Sequence, residues 1–530
     1  MKHFNRLAGV AMLAPALAAC SKDDNRPNII FFLVDDNGWV DSEVAYGPET
    51  YPNNLRFNTP NMKRLAERGV IMGHAYACPV STPTRTSIMT GMNAAHSGIT
   101  NWTSILRDIP SDATGGGWTL LDKKDTSVIK PGDALSKPEW NINGISPVPG
   151  IPHTQYCTPL VQLLKDSGYY TIHVGKAHWS AAGLPGASPY NMGFNVNVAG
   201  TMAGMPRSYQ GTENYGNTED KWNHYAVQNL GEYYGTDVHL TEALTREALK
   251  TLDWPVARKQ PFYLYLAHYA THTPIQPDER FVQKYRDAGM DEGQARYASM
   301  VEGVDKSLGD ILDYIEEKGI ADNTVIIFMT DNGGNSENKQ KGGVLHTQNK
   351  PLREGKASCY EGGIRVPLMF CWPGKVKAGI RCDVPVICED LFPTILDIAG
   401  VKDYETVQPV DGMDLVPLIT KGNGVPGDRP LIFHYPHKWK GHDLIDIDFL
   451  SAVVQGDSKL VYRMATGELE LYNLKEDIGE EHDIAAENPE EVARLARILS
   501  DKLREWDAPM PTVAGTGKKV SMPDELLPRQ

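Results

Sequence analysis

Arg26-Pro27-Asn28-Ile29-Ile30-Phe31-Phe32-Leu33-Val34-Asp35-Asp36-Asn37-Gly38 decides how the rest of the chain is read. An unbroken apolar run, bounded by Pro27 and by a turn-forming Asp-Asn-Gly, predicts a strand buried on both faces, as in a parallel sheet. It ends on two adjacent carboxylates. At the exit of a buried strand these are costly unless a cation compensates them, and a hard divalent ion with oxygen ligands is suited to that. Considered alone, the same residues also fit a solvated turn.

Outward from this strand the design recurs. Residues 169–174 form a short predicted strand leading into Gly175-Lys176-Ala177-His178. Residues 261–267 form another, followed by His268 and His272, and residues 324–330 a third, followed by Asp331 and Asn332. Helices alternate with them. Thr59, Pro60 and Gly69 supply the N-cap, first turn and stop of one; 158–168, 241–252 and the long amphipathic 294–318, closed by Gly319, supply others. A further helix is predicted at 388–400. This alternation predicts an α/β fold, a large mixed, mostly parallel sheet sandwiched by helices. In such a sheet the carboxyl ends of the parallel strands share one edge, where ligands bind, so the dispersed polar ends converge.

From about residue 430 the pattern changes to short alternating runs at 449–454, 459–463 and 468–474, then a helix over 489–506 capped by Asn488. These predict a smaller C-terminal α+β lobe on an antiparallel sheet. The expected organisation is a leader (1–19), a tether (20–26), a catalytic domain (27–428), the lobe (429–510) and a tail (511–530). The Gly-, Pro- and Trp-rich stretch 101–154 is expected to be a pocket-shaping loop. The stretch 179–235, rich in Tyr, Asn and Gly, reads as a loop of the kind that binds sugars through rings and amides.

With 530 residues the chain is long enough for a large core, and its net charge of -15 argues against a nucleic-acid partner. A local cluster of cations still permits an anionic substrate. The basic head Met1-Lys2-His3-Phe4-Asn5-Arg6, a short apolar middle and Leu17-Ala18-Ala19-Cys20 predict an export signal. Its end resembles a bacterial lipoprotein box with Cys20 lipidated, and Ser21-Lys22-Asp23-Asp24 resembles an acidic tag for the outer surface. The expected location is the outer membrane or cell surface, anchored by lipid, or the periplasm; plain secretion is the alternative. The other six cysteines match no zinc spacing, and Cys382 is a candidate to pair with Cys388 or Cys371.

Ala77-Cys78-Pro79-Val80-Ser81-Thr82-Pro83-Thr84-Arg85 sets a hydroxyl on a proline-stiffened turn, with a guanidinium at the start of a helix near Arg85. Such a corner suits an anionic ester. The pentapeptide from Ser81 to Arg85 resembles the signature of the formylglycine-dependent sulfatases, of the alkaline phosphatase superfamily. In that family a Cys or Ser followed by x-Pro-x-Arg is oxidised to an aldehyde whose hydrate is the nucleophile. On this resemblance Ser81 is the modified residue, which implies a serine-type maturation enzyme as partner. The motifs around Asp35, Ser81, Lys176, His272, Asp331 and Lys356 follow the family's order across most of the chain.

The resemblance implies roles residue by residue. Asp35, Asp36, Asp331 and Asn332 match calcium ligands, in keeping with hard oxygen donors. Arg85 matches the residue that steadies the hydrate, Lys176 and Lys356 the pair that grips sulfate, His178 the base that collapses the sulfated hydrate, and His272 the acid for the leaving alcohol. Asp331 also matches a group that orients or deprotonates the hydrate. His268 has no matching role. The implied substrate is a sulfated glycan, of galactose or N-acetylgalactosamine type. His434 and His437, in Phe433-His434-Tyr435-Pro436-His437, are candidate substrate contacts or parts of a structural turn. A phosphomonoesterase or phosphonate hydrolase of the same superfold, and a non-catalytic glycan-binding lipoprotein, are the alternatives.

Overall fold

The computed structural model describes residues 25–103, 134–136, 138–218, 223–439 and 448–528. The leader and Cys20 lie outside the described residues. The main sheet has eight strands: β1 (Asn28–Val34), β2 (Val70–Met72), β3 (Tyr170–Gly175), β4 (Val196–Val198), β5 (Phe262–Ala267), β6 (Thr324–Thr330), β7 (Leu368–Cys371) and β8 (Ile380–Cys382). Their spatial order is β8-β2-β7-β6-β1-β5-β3-β4, and only β7 runs against the others. The four expected strands are its centre, β6-β1-β5-β3. The other four have only three or four residues against seven in β1, too few to show a period of their own.

Alternation along β1 shows why both faces are apolar. Ile29, Phe31 and Leu33 join one core, while Ile30, Phe32 and Val34 join the other. The first core takes α2 (Ser81–Thr90), α3 (Leu160–Asp166) and α6 (Leu391–Ile398); the second takes α1 (Pro60–Arg68), α4 (Leu240–Ala257) and α5 (Glu292–Glu317). The C-terminal sheet is antiparallel, in the order β9 (Leu431–Tyr435), β10 (Leu450–Gln455), β11 (Ser458–Arg463), β12 (Glu468–Asn473). Leu431, Phe433 and Leu450 pack into the first core, whereas Ile432, Val453 and Leu460 pack on α7 (Pro489–Glu505). The lobe is thus wedged between the large domain and its own helix.

A buried ion network crosses this junction. Lys459 Nζ lies 2.9 Å from Glu361 Oε1 and 2.7 Å from Glu480 Oε1. Glu361 also receives Arg365 at 3.2 Å and the Tyr76 hydroxyl at 3.1 Å.

Two expectations need correction. Ser81 is not on a turn before the helix; it is the first residue of α2, and Arg85 sits one turn inside. Pro83 is tolerated there because the first-turn N–H groups have no intrahelical acceptor. Cys382 pairs with neither Cys388 nor Cys371: all six described cysteines are free thiols, Cys382 and Cys371 lie on different strands, and the nearest sulfur to Cys388 is that of Cys78, at 3.9 Å. In the tail, Thr512–Val513 pairs with Leu135–Ser136 of the large domain.

Candidate active site

The register brings the polar strand ends to one place. Val34 pairs with Thr330, Leu33 with Ala267, and Ala267 with Gly175, so β6, β1, β5 and β3 stop at the same edge. There the chain turns sharply: Asp36 and His178 adopt positive φ, 56° and 57°. Non-glycine residues rarely do so outside constrained sites.

Three carboxylates and three cations meet at this edge, all buried. Lys176 Nζ donates to Asp35 Oδ2 at 2.5 Å and lies 3.3 Å from Ser81 Oγ. Lys356 Nζ donates to Asp36 Oδ1 at 2.5 Å. Arg85 donates through Nε to Asp331 Oδ2 at 2.8 Å and through a terminal nitrogen to the Lys176 carbonyl at 3.1 Å. Asn332 Nδ2 donates to Asp36 Oδ1 at 2.8 Å. Behind them Tyr297 donates to Asp41, which also accepts the Gly38 N–H at 2.8 Å. Lys341, a buried lysine that no sequence motif distinguishes, lies 3.8 Å from the centre of the Tyr297 ring.

Burial dominates the titration of these groups. It raises Asp35 and Asp331 above the ordinary carboxylate range, against the pull of Lys176 and Arg85. Asp36 is also pushed up by burial, yet Lys356 and His272 hold it below that range. Burial lowers Lys176, whereas at Lys356 the three surrounding carboxylates overcome burial and raise it.

The two histidines flank the nucleophile candidate differently. His178 Nδ1 is 3.4 Å from Ser81 Oγ and 3.2 Å from Thr82 Oγ1. Its ring packs against Gly204, where a Cβ would come within 2.5 Å of it. His272 Nε2 is 3.7 Å from Asp36 Oδ2, and its Nδ1 is 3.1 Å from Thr273. Burial drives His178 far below its ordinary value and, aided by Lys356, His272 down to about 3. Burial thus favours the neutral form of both rings.

Ser81, His178, His272 and Lys356 open onto a cavity of about 200 Å³, walled by Trp102, Thr103, Met205, Tyr225, Asn335 and Trp439. Trp102 comes from the loop expected to shape a pocket, and Tyr225 from the loop that reads as a sugar-binding one. Trp439 comes from the C-terminal lobe, and nothing in its local pattern marks it.

His434 and His437 are not in this cavity. His434 is buried between Ser451 Oγ at 2.6 Å and the Pro509 carbonyl at 2.8 Å. His437 bonds Thr100 Oγ1 at 2.7 Å and meets Trp140 edge to face. The expectation of substrate contact is corrected for both: strand β9 turns His434 into the lobe's own packing, and His437, two residues past its end, packs against Thr100 and Trp140 of the large domain. His268 bonds Ser307 at 2.8 Å inside the core, consistent with its lack of a role.

The donor set fits a hard cation. Asp35 Oδ1 and Asn332 Oδ1 are buried and have no hydrogen-bond partner, and such orphaned oxygens signal an absent ligand. Among the described residues one cluster of metal-binding type is found, Asp35, Asp36 and His272.

A sequence-family model described as sulfatase matches residues 27–401, most of the chain. The chain belongs to the sulfatase family. Members are sulfuric ester hydrolases, and a second model, N-sulphoglucosamine sulphohydrolase C-terminal, matches residues 355–508 of this sulfatase. A sulfatase of Formosa agariphila is 29% identical, covering 99% of this chain and 98% of its own. The mouse N-acetylgalactosamine-6-sulfatase is 28% identical over 77% of this chain and 68% of its own. Among solved structures, that of Ps i-CgsB in complex with k-i-k-neocarrahexaose superposes with a TM-score of 0.67 at 27% identity, covering 90% of this sulfatase and 93% of that chain.

Proposed function

We propose that this sulfatase removes O-sulfate from sulfated glycans, of galactose or N-acetylgalactosamine type, through a formylglycine formed from Ser81 and a calcium ion. The observation that carries the reading is the convergence of Ser81 with Lys176, His178 and a cluster of oxygen donors in which Asp35 Oδ1 and Asn332 Oδ1 lack partners. The names of two similar proteins, one acting on N-acetylgalactosamine sulfate and one in complex with neocarrahexaose, support the sugar class.

Asp35, Asp36, Asp331 and Asn332 would hold calcium, which supplies positive charge for a sulfate oxygen. A hydrated aldehyde derived from Ser81 would supply an oxygen nucleophile and a second hydroxyl through which sulfate could be released. Lys176 and Lys356 stabilise charge on the transferring group. A bound sulfate ester, an anion beside His272, favours the protonated ring, which is then placed to protonate the departing alcohol, and His178, at 3.4 Å from Oγ, is placed to take the proton that releases sulfate. Arg85, fixed by Asp331 and the Lys176 carbonyl, steadies the position-81 oxygens. The same reading makes the enzyme an exported lipoprotein anchored through Cys20, matured by a serine-type oxidising enzyme.

The test begins with protein from a host that carries such a maturation enzyme. Mass spectrometry of the Ser81 peptide is expected to show the loss of two hydrogens, and a panel of sulfated sugars is expected to yield free sulfate. An intact Ser81 in that host removes the nucleophile and the reading with it.

A further inference from the structure

Beside the Ser81 pocket lies a second cavity of about 680 Å³, lined by Arg207, Ser208, Glu213, Asn223, His224 and Gln276 among others. The two cavities share their walls. In the loop 204–208, Gly204 and Met205 face the Ser81 pocket while Arg207 and Ser208 face the second cavity. In the loop 272–276, His272 and Thr273 face the first, Pro274 and Gln276 the second. Tyr225 and His224 divide in the same way.

Two residues of chain span at most about 7 Å. The partition is therefore one loop thick, on the scale of a single sugar residue. It is closed by Met205 against Thr273, with Sδ and Oγ1 4.0 Å apart, and by the Arg207 N–H donating to the Tyr225 carbonyl at 2.7 Å. A glycan whose sulfated residue enters the first cavity passes this partition with its neighbouring residue.

The chemistry of the second cavity selects among neighbours. Its acid is already engaged: Glu213 accepts from Ser208, and from Gln276 Nε2 at 3.2 Å. Arg207 is exposed, and its guanidinium pairs with none of the described residues. A guanidinium fork matches two oxygens of a sulfate or carboxylate, and the amides and hydroxyl around it match sugar hydroxyls. We propose that this cavity is a subsite for the adjoining sugar of a polymeric substrate, and that Arg207 reads an anionic group on that sugar. The inference rests on the glycan-sulfatase reading of the Ser81 pocket and deepens it: the enzyme prefers a polyanionic chain to a free sulfated monosaccharide.

The experiment compares chain lengths with the matured enzyme. Sulfate release is measured from N-acetylgalactosamine 6-sulfate and galactose 4-sulfate, and from chondroitin 6-sulfate and ι-carrageenan hexasaccharides. The expected result is a KM about tenfold lower for a hexasaccharide than for the corresponding monosaccharide, a ratio that collapses toward one in Arg207→Ala and recovers in part in Arg207→Lys. Thermal denaturation of both variants checks that they fold. Equal KM for both lengths in the wild type, or a hexasaccharide advantage that survives Arg207→Ala, overturns the subsite while leaving the sulfatase reading intact. Release from no substrate of either length overturns the reading of the Ser81 pocket itself, and the subsite with it.

Discussion

Lys356 and Asp36, 320 residues apart in sequence, meet at 2.5 Å at the floor of the Ser81 pocket. The lysine is buried, and the carboxylates around it keep its proton firmly bound. It is thus a fixed positive charge at the pocket, suited to a sulfate oxygen. Replacing it with alanine removes a charge-assisted contact of roughly 1.5–3 kcal/mol, so kcat/KM for the matured enzyme is expected to fall tenfold to a hundredfold. Unchanged steady-state kinetics for Lys356→Ala would remove Lys356 from the sulfate site.

The charge count of the site carries a second expectation. Asp35, Asp36 and Asp331 are balanced by Arg85, Lys176 and Lys356 when no metal is present. A divalent ion bound to the carboxylates leaves the site with excess positive charge, which favours an anion. Calcium and inorganic sulfate are therefore expected to bind cooperatively, each tightening the other by the same factor. Calcium at a hundred times its Kd is expected to add about 2.7 kcal/mol of stability. Thermal denaturation with chelator, with calcium, and with calcium plus sulfate checks this; identical curves would leave the orphaned oxygens of Asp35 and Asn332 without a cation.

Much of this site was legible because its residues follow long apolar runs. β1 and β6 are seven residues each and announce where Asp35, Asp36, Asp331 and Asn332 fall. Lys356 follows a glycine-rich loop rather than a strand, and its place rested on motif order. The four outer strands β2, β4, β7 and β8 escaped notice because three or four residues carry no period. The pocket walls were legible only as loops: Trp102 lies in the stretch expected to shape a pocket, Met205 and Tyr225 in the one that reads as a sugar-binding loop, while Trp439 reaches the pocket through tertiary packing alone. His434 and His437 were misplaced for a related reason. A histidine beside proline looks the same in sequence whether its ring faces a cavity or, as here, Ser451 and Thr100.

The junction between the domain and its lobe is expected to depend on Lys459. Its ammonium is wholly buried between Glu361 and Glu480, and Glu361 lies five residues beyond Lys356. Lys459→Met leaves two buried carboxylates short of their shared cation, a loss of about 3–5 kcal/mol. A double variant, Lys459→Met with Glu480→Gln, removes one of those charges and is expected to recover part of the loss. Denaturant unfolding of the three proteins checks the order; a single variant as stable as the wild type would show that the network contributes nothing to docking.

His434 separates a structural role from a substrate role, and pH provides the test. The Pro509 carbonyl can only accept, so Nε2 carries the proton and Nδ1 accepts from Ser451. Burial lowers the ring from an ordinary 6.5 to about 4. As pH falls below 6.5 the unfolded chain takes up a proton that the folded one refuses, so stability falls; it is fully present above 6.5, and the decline ends near pH 4. Over that window His434 alone is expected to contribute a loss of about 3 kcal/mol. Glutamine offers an N–H and a carbonyl without titrating, so His434→Gln is expected to flatten the pH slope between 4 and 6.5. His434→Ala is expected to cost about 2 kcal/mol at pH 8 by leaving two polar partners unmet, with KM for every sulfated sugar unchanged. A KM shift in either variant at full stability would return His434 to the substrate site.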